Sequence, residues 1–311
     1  MTEQTVIGRK ASRSGTSRKT APRKNSTERS AVFDMLRSMR TELAELHERR
    51  TKGEYTTDDF GFDPVWTETI LPLAKLVYDH YWRVDVSGVE NIPLEGGALL
   101  VSNHAGVFPF DAAMIKVAVL SEGPSRHVRA LVADWMFNTP FLSWFIRRAG
   151  QTLGHPDDTF RLLSGHQLVL VFPEGIRGTG KPFSERYRLR RFGRGGFVEA
   201  AARAHVPIIP VSVVGSEETY PMLGEVPYLN KLMGVPYVPI TPTLPLLGPL
   251  GLVPLPSKWS IHFHPPIQTD TLVSTGASRA ADIMDVTELV RRTIQDGLRK
   301  QLMDRRSVFF G

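Results

Sequence analysis

Residues 98–111 read ALLVSNHAGVFPFD, and residues 168–177 read LVLVFPEGIR. Each opens on a run of apolar residues and breaks at once into a turn of Gly, Pro and polar side chains. A short apolar run without alternation marks a strand covered on both faces. Similar runs recur at 128–132, 208–214 and 259–263, and the 168 run extends to Phe172. Helical patterns fill the gaps, at 112–120, 140–149, 157–164 and 195–204. Strand and helix in alternation imply an α/β sheet with helices over its faces.

Outside this core the grammar changes. From Ala31, apolar residues Val32, Met35, Leu36, Met39, Leu43 and Leu46 recur at three- and four-residue spacing, giving one helical stripe that ends in a polar linker at 49–59. Asp63-Pro64 reads as an N-cap followed by proline at the first helical position, opening a helix to about Trp82 that bends near Pro72. Its many aromatic residues suit packing on the main domain or a lipid headgroup boundary. An amphipathic helix over 280–304 closes the chain. Residues 221–256 fit no regular element, because their prolines forbid a helix. This apolar, nearly uncharged segment is either the buried wall of an acyl-chain pocket or a surface loop that dips into a membrane.

The chain has 311 residues, 41% of them hydrophobic and 23% charged, enough to bury a substantial core. With no cysteine, disulfides, thiol catalysis and Cys-ligated metals are excluded. The formal charge of +6 belongs to the first 30 residues, which hold eight Lys/Arg against Glu3 and Glu28; the rest carries 30 basic and 30 acidic residues. The folded part is therefore no general polyanion binder. The tail, 1–30, is too polar to pack and is expected to be disordered. It has no secretory apolar region, though its composition resembles a transit peptide. Adhesion to anionic lipid or nucleic acid, or no specific role, are its open readings. No apolar stretch is long enough to span a bilayer, so membrane contact is expected to be peripheral. The expected division is a basic tail (1–30), N-terminal helices (31–82) and an α/β domain (83–311).

The chemistry lies where the two quoted strands end. His104 follows the first strand and is followed by Asp111 at a helix start. Strand ends are where α/β sheets place their sites. A neutral imidazole there accepts a proton from a hydroxyl, while a carboxylate on its other nitrogen fixes the tautomer. Alone, the pair reads as well as a turn histidine beside an N-capping aspartate. The second turn shifts the balance. Glu174, Gly175 and Arg177 lead into a Gly-rich stretch carrying Lys181, Arg186, Arg188, Arg190, Arg191 and Arg194. Arginine grips phosphate through a bidentate fork, and glycine admits an anion to backbone N–H groups. So many cations after one strand end point to an anionic substrate.

Asn103-His104 with Asp111, and Phe172-Pro-Glu-Gly-Ile-Arg177, resemble the PlsC-type glycerolipid acyltransferases, the lysophosphatidate acyltransferase family. Those proteins carry N-H-x4-D and F-P-E-G-[TI]-R in that order. Val206-Pro-Ile-Ile-Pro-Val211 is similar to a third family strand, and 84–93 to the strand and turn before the catalytic motif. The resemblance covers about 83–270. It implies a mixed, largely parallel sheet flanked by helices and transfer of a fatty acyl group from an acyl-CoA or acyl-carrier-protein thioester, without an acyl-enzyme and without a cofactor. The implied acceptor is 1-acylglycerol 3-phosphate; glycerol 3-phosphate, other lysophospholipids and neutral glycerides stay open. His104 is implied as general base and Asp111 as its orienter, with Glu174, Gly175, Arg177 and Lys181 on the substrate side. The sequence departs from the family twice. Six residues separate His104 from Asp111, with Pro109 predicting a longer loop that brings the carboxylate back. The family's Gly-rich second motif has only a positional counterpart in 145–153, with Arg147 or Arg148.

Rival readings are weaker. Gly175 to Lys181 fits G-x4-G-K, but Pro182 stands where a P-loop needs Ser or Thr. No G-x-S-x-G elbow is present. His262 and His264 lack a third metal ligand. A non-catalytic membrane-binding module is the alternative of a different class. The expected location is the cytoplasmic face of the inner membrane, with lipid and the acyl donor as partners and no specific nucleic acid.

Overall fold

The computed structural model describes residues 24–54, 57–106, 108–138, 140–226, 228–233 and 236–311. Seven strands form the main sheet: β1 (Asp85–Ser87), β2 (Ala98–Ser102), β3 (Val128–Val132), β4 (Gln151–Leu153), β5 (Leu168–Val171), β6 (Ile208–Val214) and, after a small β7–β8 ribbon (Gly224–Glu225, Pro239–Ile240), β9 (Ser260–Phe263). Their order is β1-β9-β6-β2-β5-β3-β4. The strands β6, β2, β5, β3 and β4 are mutually parallel. Antiparallel pairing of β9 with β6 reverses the direction, and β1 follows β9 in parallel. The sheet is thus mixed and largely parallel, as expected.

Every residue of β2 is buried, which explains its unbroken apolar run. Ala98 and Leu100 face a core with Tyr78, Trp82, Ile115, Leu170 and Trp259. Leu99 and Val101 face the opposite core with Leu163, Val198, Ile208, Val290 and Leu298. That is the period-two alternation of a strand between two helical layers.

The N-terminal helix α1 (Lys24–Thr51) begins before the expected Ala31 and ends inside the expected linker. The disordered-tail reading falls mostly outside the described residues; Lys24 to Ser30 are helical. In the linker, Asp58 accepts N–H bonds from Phe60 and Phe62, both 2.9 Å, and pairs with buried Arg129. Helix α2 (Pro64–Leu76) is capped as anticipated: Asp63 Oδ1 accepts the Trp66 N–H at 2.9 Å. It continues through a π turn, Val77–Tyr81. Helices α3 (Phe110–Ser121), α4 (Pro140–Arg148), α5 (Pro156–Ser164), the single turn α6 (Ile176–Thr179) and α7 (Gly196–Arg203) alternate with the strands. The short α8 (Leu229–Met233) and α9 (Thr269–Leu272) precede the long α10 (Arg279–Asp304), which packs on β6.

Candidate active site

Three parallel strand ends meet at the site. The chain leaves β2 at Asn103, whose amide donates to Val213 O (3.0 Å) and accepts from Val213 N–H (2.8 Å). That pair ties the turn after β2 to β6. His104 follows, its ring stacked on Phe172 after β5, with centroids 4.3 Å apart. Asp111 reaches it across the longer loop: Nδ1 of His104 lies 2.7 Å from Asp111 Oδ2. Asp111 is buried and also accepts N–H bonds from Ala105 (3.0 Å) and Ala112 (2.8 Å). The carboxylate is fixed by the first turn of α3 and the turn after β2, so it ties the helix to that turn and orients the imidazole. Nε2 of His104 has no hydrogen-bond partner among the described residues.

The second motif divides between inside and outside. Glu174 points inward: its Oε1 accepts the His104 N–H at 3.1 Å and its Oε2 the Arg190 N–H at 2.6 Å. Lys181 also points inward. Its ammonium donates to Glu217 (3.0 Å) and stands 3.5 Å from Glu174, with side-chain exposures of 2% for Lys181, 0% for Glu174 and 6% for Glu217. Glu217 further accepts the Tyr187 N–H at 3.0 Å. Burial and the nearby Glu174 raise the Glu217 pKa, while Lys181 and the Tyr187 N–H oppose the shift. Glu174 and Lys181, expected on the substrate side, are therefore sealed in a buried ladder, and reach the site through the His104 backbone. Gly175 and Arg177 are exposed. Gly175 sits at φ 56°, ψ −147°, a conformation that excludes side chains. Arg177 has no ion pair among the described residues. The inward Lys181 also disposes of the P-loop reading, which needs that ammonium on phosphate.

Arg147 stacks on Phe137 (4.5 Å) and Arg148 on Trp144 (4.2 Å), both in α4. Arg147 lines a cavity of about 460 Å³ with Asp59, Asp134, Asp158 and Arg161 at the β3–β4 side. His262 pairs with Ser87 and His264 with Ser212, at 2.8 and 3.0 Å. No group of three metal-binding side chains occurs among the described residues.

A family model for acyltransferases, described as "Acyltransferase", matches residues 83–214, the stretch that holds both motifs. An uncharacterized protein of Mycobacterium tuberculosis is 51% identical over 265 residues, covering 85% of this chain and 74% of that protein. The chain belongs to the acyltransferase family that this model describes. A Gallus gallus protein named "DGAT1/2-independent enzyme synthesizing storage lipids" is 30% identical over 205 residues, 64% of this chain and 59% of its own length. The crystal structure of the 1-acyl-sn-glycerophosphate (LPA) acyltransferase PlsC from Thermotoga maritima shares the fold, with a TM-score of 0.51 at 18% identity over 78% of this chain and 82% of that one.

In this acyltransferase several site residues carry no catalytic signature in the sequence. Gly178 lies against the turn that carries His104: a Cβ there would stand 2.8 Å from Glu174 Cβ and 2.9 Å from His104 O. Glu217 completes the buried ladder from 36 residues beyond Lys181. Beside the site, Phe110 lies between Trp82, tilted against it, and Tyr220, stacked on it, with centroids at 5.1 and 6.3 Å. Tyr220, Tyr81 and Trp82 then donate to the carbonyls of Leu252, Pro254 and Leu255. They staple the proline-rich segment next to α3. Its outer face exposes Leu246 (82%) and Leu250 (70%), with Leu247, Leu252 and Val253. Of the two expectations, these side chains follow the surface loop. Among the described residues no helix is long and apolar enough to cross a membrane.

Proposed function

We propose that this protein transfers a fatty acyl group from a thioester, acyl-CoA or acyl-carrier protein, to the free hydroxyl of 1-acylglycerol 3-phosphate, at a membrane surface. The carrying observation is the imidazole held at 2.7 Å by a buried carboxylate, its other nitrogen turned away from that partner. With its Nδ1–H donated to the Asp111 carboxylate, the imidazole has Nε2 as its basic nitrogen. The acceptor hydroxyl gives its proton to Nε2 as its oxygen attacks the thioester carbonyl. The tetrahedral adduct collapses, the C–S bond breaks, and the imidazolium returns the proton to the leaving thiolate. Charge on the imidazolium is stabilised by Asp111, which stays ionised. Exposed Arg177 at the end of the second motif is the cation offered to the acceptor's phosphate. The chemistry calls on no metal or organic cofactor.

A second acceptor class has its own support. The storage-lipid enzyme named above resembles this chain in sequence, and two ionic side chains expected on the substrate side, Glu174 and Lys181, are consumed inside the protein. A neutral glyceride in place of a phosphate-bearing acceptor fits both facts. Purified protein assayed with labelled acyl-CoA against 1-acylglycerol 3-phosphate, glycerol 3-phosphate, other lysophospholipids and mono- and diacylglycerol tests the reading. Preference for 1-acylglycerol 3-phosphate supports it, and transfer to neutral glycerides alone replaces it with the second. The exposed leucines of the stapled loop support peripheral contact with a bilayer, which we place at the cytoplasmic face.

A further inference from the structure

We propose that Tyr237 is a positioning residue of the acyl-transfer site: from the β7–β8 ribbon it clamps the single turn α6, and α6 in turn sets the backbone that carries His104. The inference rests on the acyl-transfer reading and adds a residue to it. Tyr237 lies outside the stretch 83–214 that the family model matches, in the proline-rich segment that the two motifs do not reach.

The turn α6 cannot fix its own position. It spans only Ile176–Thr179 and starts from Gly175 at φ 56°. Closing a lone turn freezes several backbone angles for one hydrogen bond, so its place has to be set by contacts from outside. One set comes from the base. Gly178 is buried, and a Cβ there would stand 2.9 Å from His104 O and 3.0 Å from His104 Cβ. The other set comes from Tyr237. A Cβ on Gly180 would meet its ring, at Cδ1 and Cε1, at 3.6 Å. Its hydroxyl shares a hydrogen bond with the Thr179 side chain, which also donates to Ile176 O at 3.1 Å. Residues 178, 179 and 180 thus meet His104, the phenol hydroxyl and the phenol ring in turn.

A fixed arm delivers the phenol. Pro236 O accepts from the Asn230 side-chain amide at 3.2 Å and Val238 O from the Val226 N–H at 2.9 Å, so both neighbours of Tyr237 are tied. The ribbon is itself anchored close to α6. Leu223 N–H donates to Ile240 O and Phe183 N–H to Met222 O, both at 2.8 Å. Burial pushes the Tyr237 pKa up to about 12; the Thr179 bond opposes the rise and the negative charge of Asp111 adds to it. The hydroxyl therefore stays protonated, and it lies near enough to feel the carboxylate that orients His104. Because α6 also carries the exposed Arg177, a loosened turn disturbs the acceptor's cation together with the base.

The test uses the full chain with Tyr237→Phe, Thr179→Val and both together. Tyr237→Phe keeps the ring on Gly180 and removes only the hydroxyl. Its kcat is expected to fall at least about tenfold, since misplacing a catalytic group by about 1 Å costs on the order of a hundredfold. KM for the acceptor should rise, KM for the thioester should not, and Tm should match wild type. Because the two hydroxyls form one link, the double variant should lose no more than the worse single variant. The His104 imidazole resonances, assigned by their loss in His104→Ala, should shift in Tyr237→Phe. Wild-type kinetics in Tyr237→Phe overturns the proposal. So do additive losses in the double variant, or a drop in Tm that accounts for the lost activity. If wild type transfers no acyl group, or His104→Ala stays active, the acyl-transfer reading fails. The imidazole resonances decide the link even then, and unshifted signals overturn it.

Discussion

Asp111 Oδ2 lies 2.7 Å from His104 Nδ1 although the residues are seven apart in the chain. The loop between them, with Pro109 before α3, returns the carboxylate to the imidazole from the first turn of the helix. Asp111→Asn keeps an oxygen for the backbone N–H groups but offers an amide where the carboxylate stood. The imidazole then loses its tautomer and the charge that stabilises its cation. The expected outcome is a fall in kcat of about 10³–10⁴, KM nearly unchanged. His104→Ala should abolish turnover with an unchanged Tm and unchanged lipid binding. Steady-state kinetics beside vesicle flotation checks both, and near-normal transfer by His104→Ala would falsify the mechanism.

Gly178 predicts a steric effect transmitted through the backbone. A methyl group there meets Glu174 Cβ at 2.8 Å and His104 Cβ at 3.0 Å, so the catalytic turn has to move. Misplacing a catalytic group by about 1 Å costs on the order of a hundredfold in rate. Gly178→Ala should therefore lose at least about tenfold in kcat while remaining folded by circular dichroism. Wild-type kinetics in that variant would show that the turn relaxes freely.

Much of this was legible in the chain itself, for a physical reason. Ala98–Ser102 and Ile208–Val214 are covered on both faces, and burial on two sides writes a mostly apolar run, which in Val128–Val132 survives around the buried Arg129. Edge strands β1 and β4 have three residues each, too few for any periodicity, and the reversal of β9 leaves no mark in composition. The same limit governs the site. A strand end, a turn and a helix start locate His104 and Asp111. A lysine after a glycine-rich turn looks alike whether it meets a ligand or a buried carboxylate, and the partner that decides the matter, Glu217, is far along the sequence.

That partner makes Lys181 a stability residue. Lys181→Met leaves Glu174 and Glu217 buried without their shared cation, a change costing about 3–5 kcal/mol when a buried pair is broken. Thermal and urea unfolding should show the loss, and kcat should fall with it because Glu174 holds the His104 N–H. A KM effect on the acceptor without any loss of stability would instead return Lys181 to the substrate side.

Lys116, on the same helix as Asp111, is buried and donates to Ala149 O at 2.6 Å. Burial, with Arg129 nearby, lowers its pKa from 10.5 to about 7. Between those values the unfolded chain holds the proton and the folded chain does not. Stability conferred by this group therefore rises with pH, by up to about 1.4 kcal/mol per unit. Urea unfolding at pH 7 and pH 9 should show wild type gaining stability relative to Lys116→Met. Parallel pH dependence in the two proteins would mean that the lysine keeps its proton in the fold.

The stapled loop predicts where the protein meets lipid. Exposed leucines cost nothing to a flexible tail, but these are presented by a segment fixed through the carbonyls of Leu252, Pro254 and Leu255 to Tyr220, Tyr81 and Trp82. On the proposed membrane contact, a rigid apolar surface beside the helix that carries Asp111 brings the site to the bilayer with little ordering entropy left to lose. Each leucine inserted adds about 1.5–3 kcal/mol of transfer free energy. Leu246→Asp/Leu250→Asp should therefore reduce vesicle association at least about tenfold. Turnover on a short-chain, water-soluble acceptor should stay intact, while turnover on a bilayer-resident acceptor falls. Flotation with neutral and anionic vesicles separates the apolar contribution from any electrostatic one, because only the latter weakens with salt. Equal vesicle binding by the double variant would move the lipid contact elsewhere on the protein.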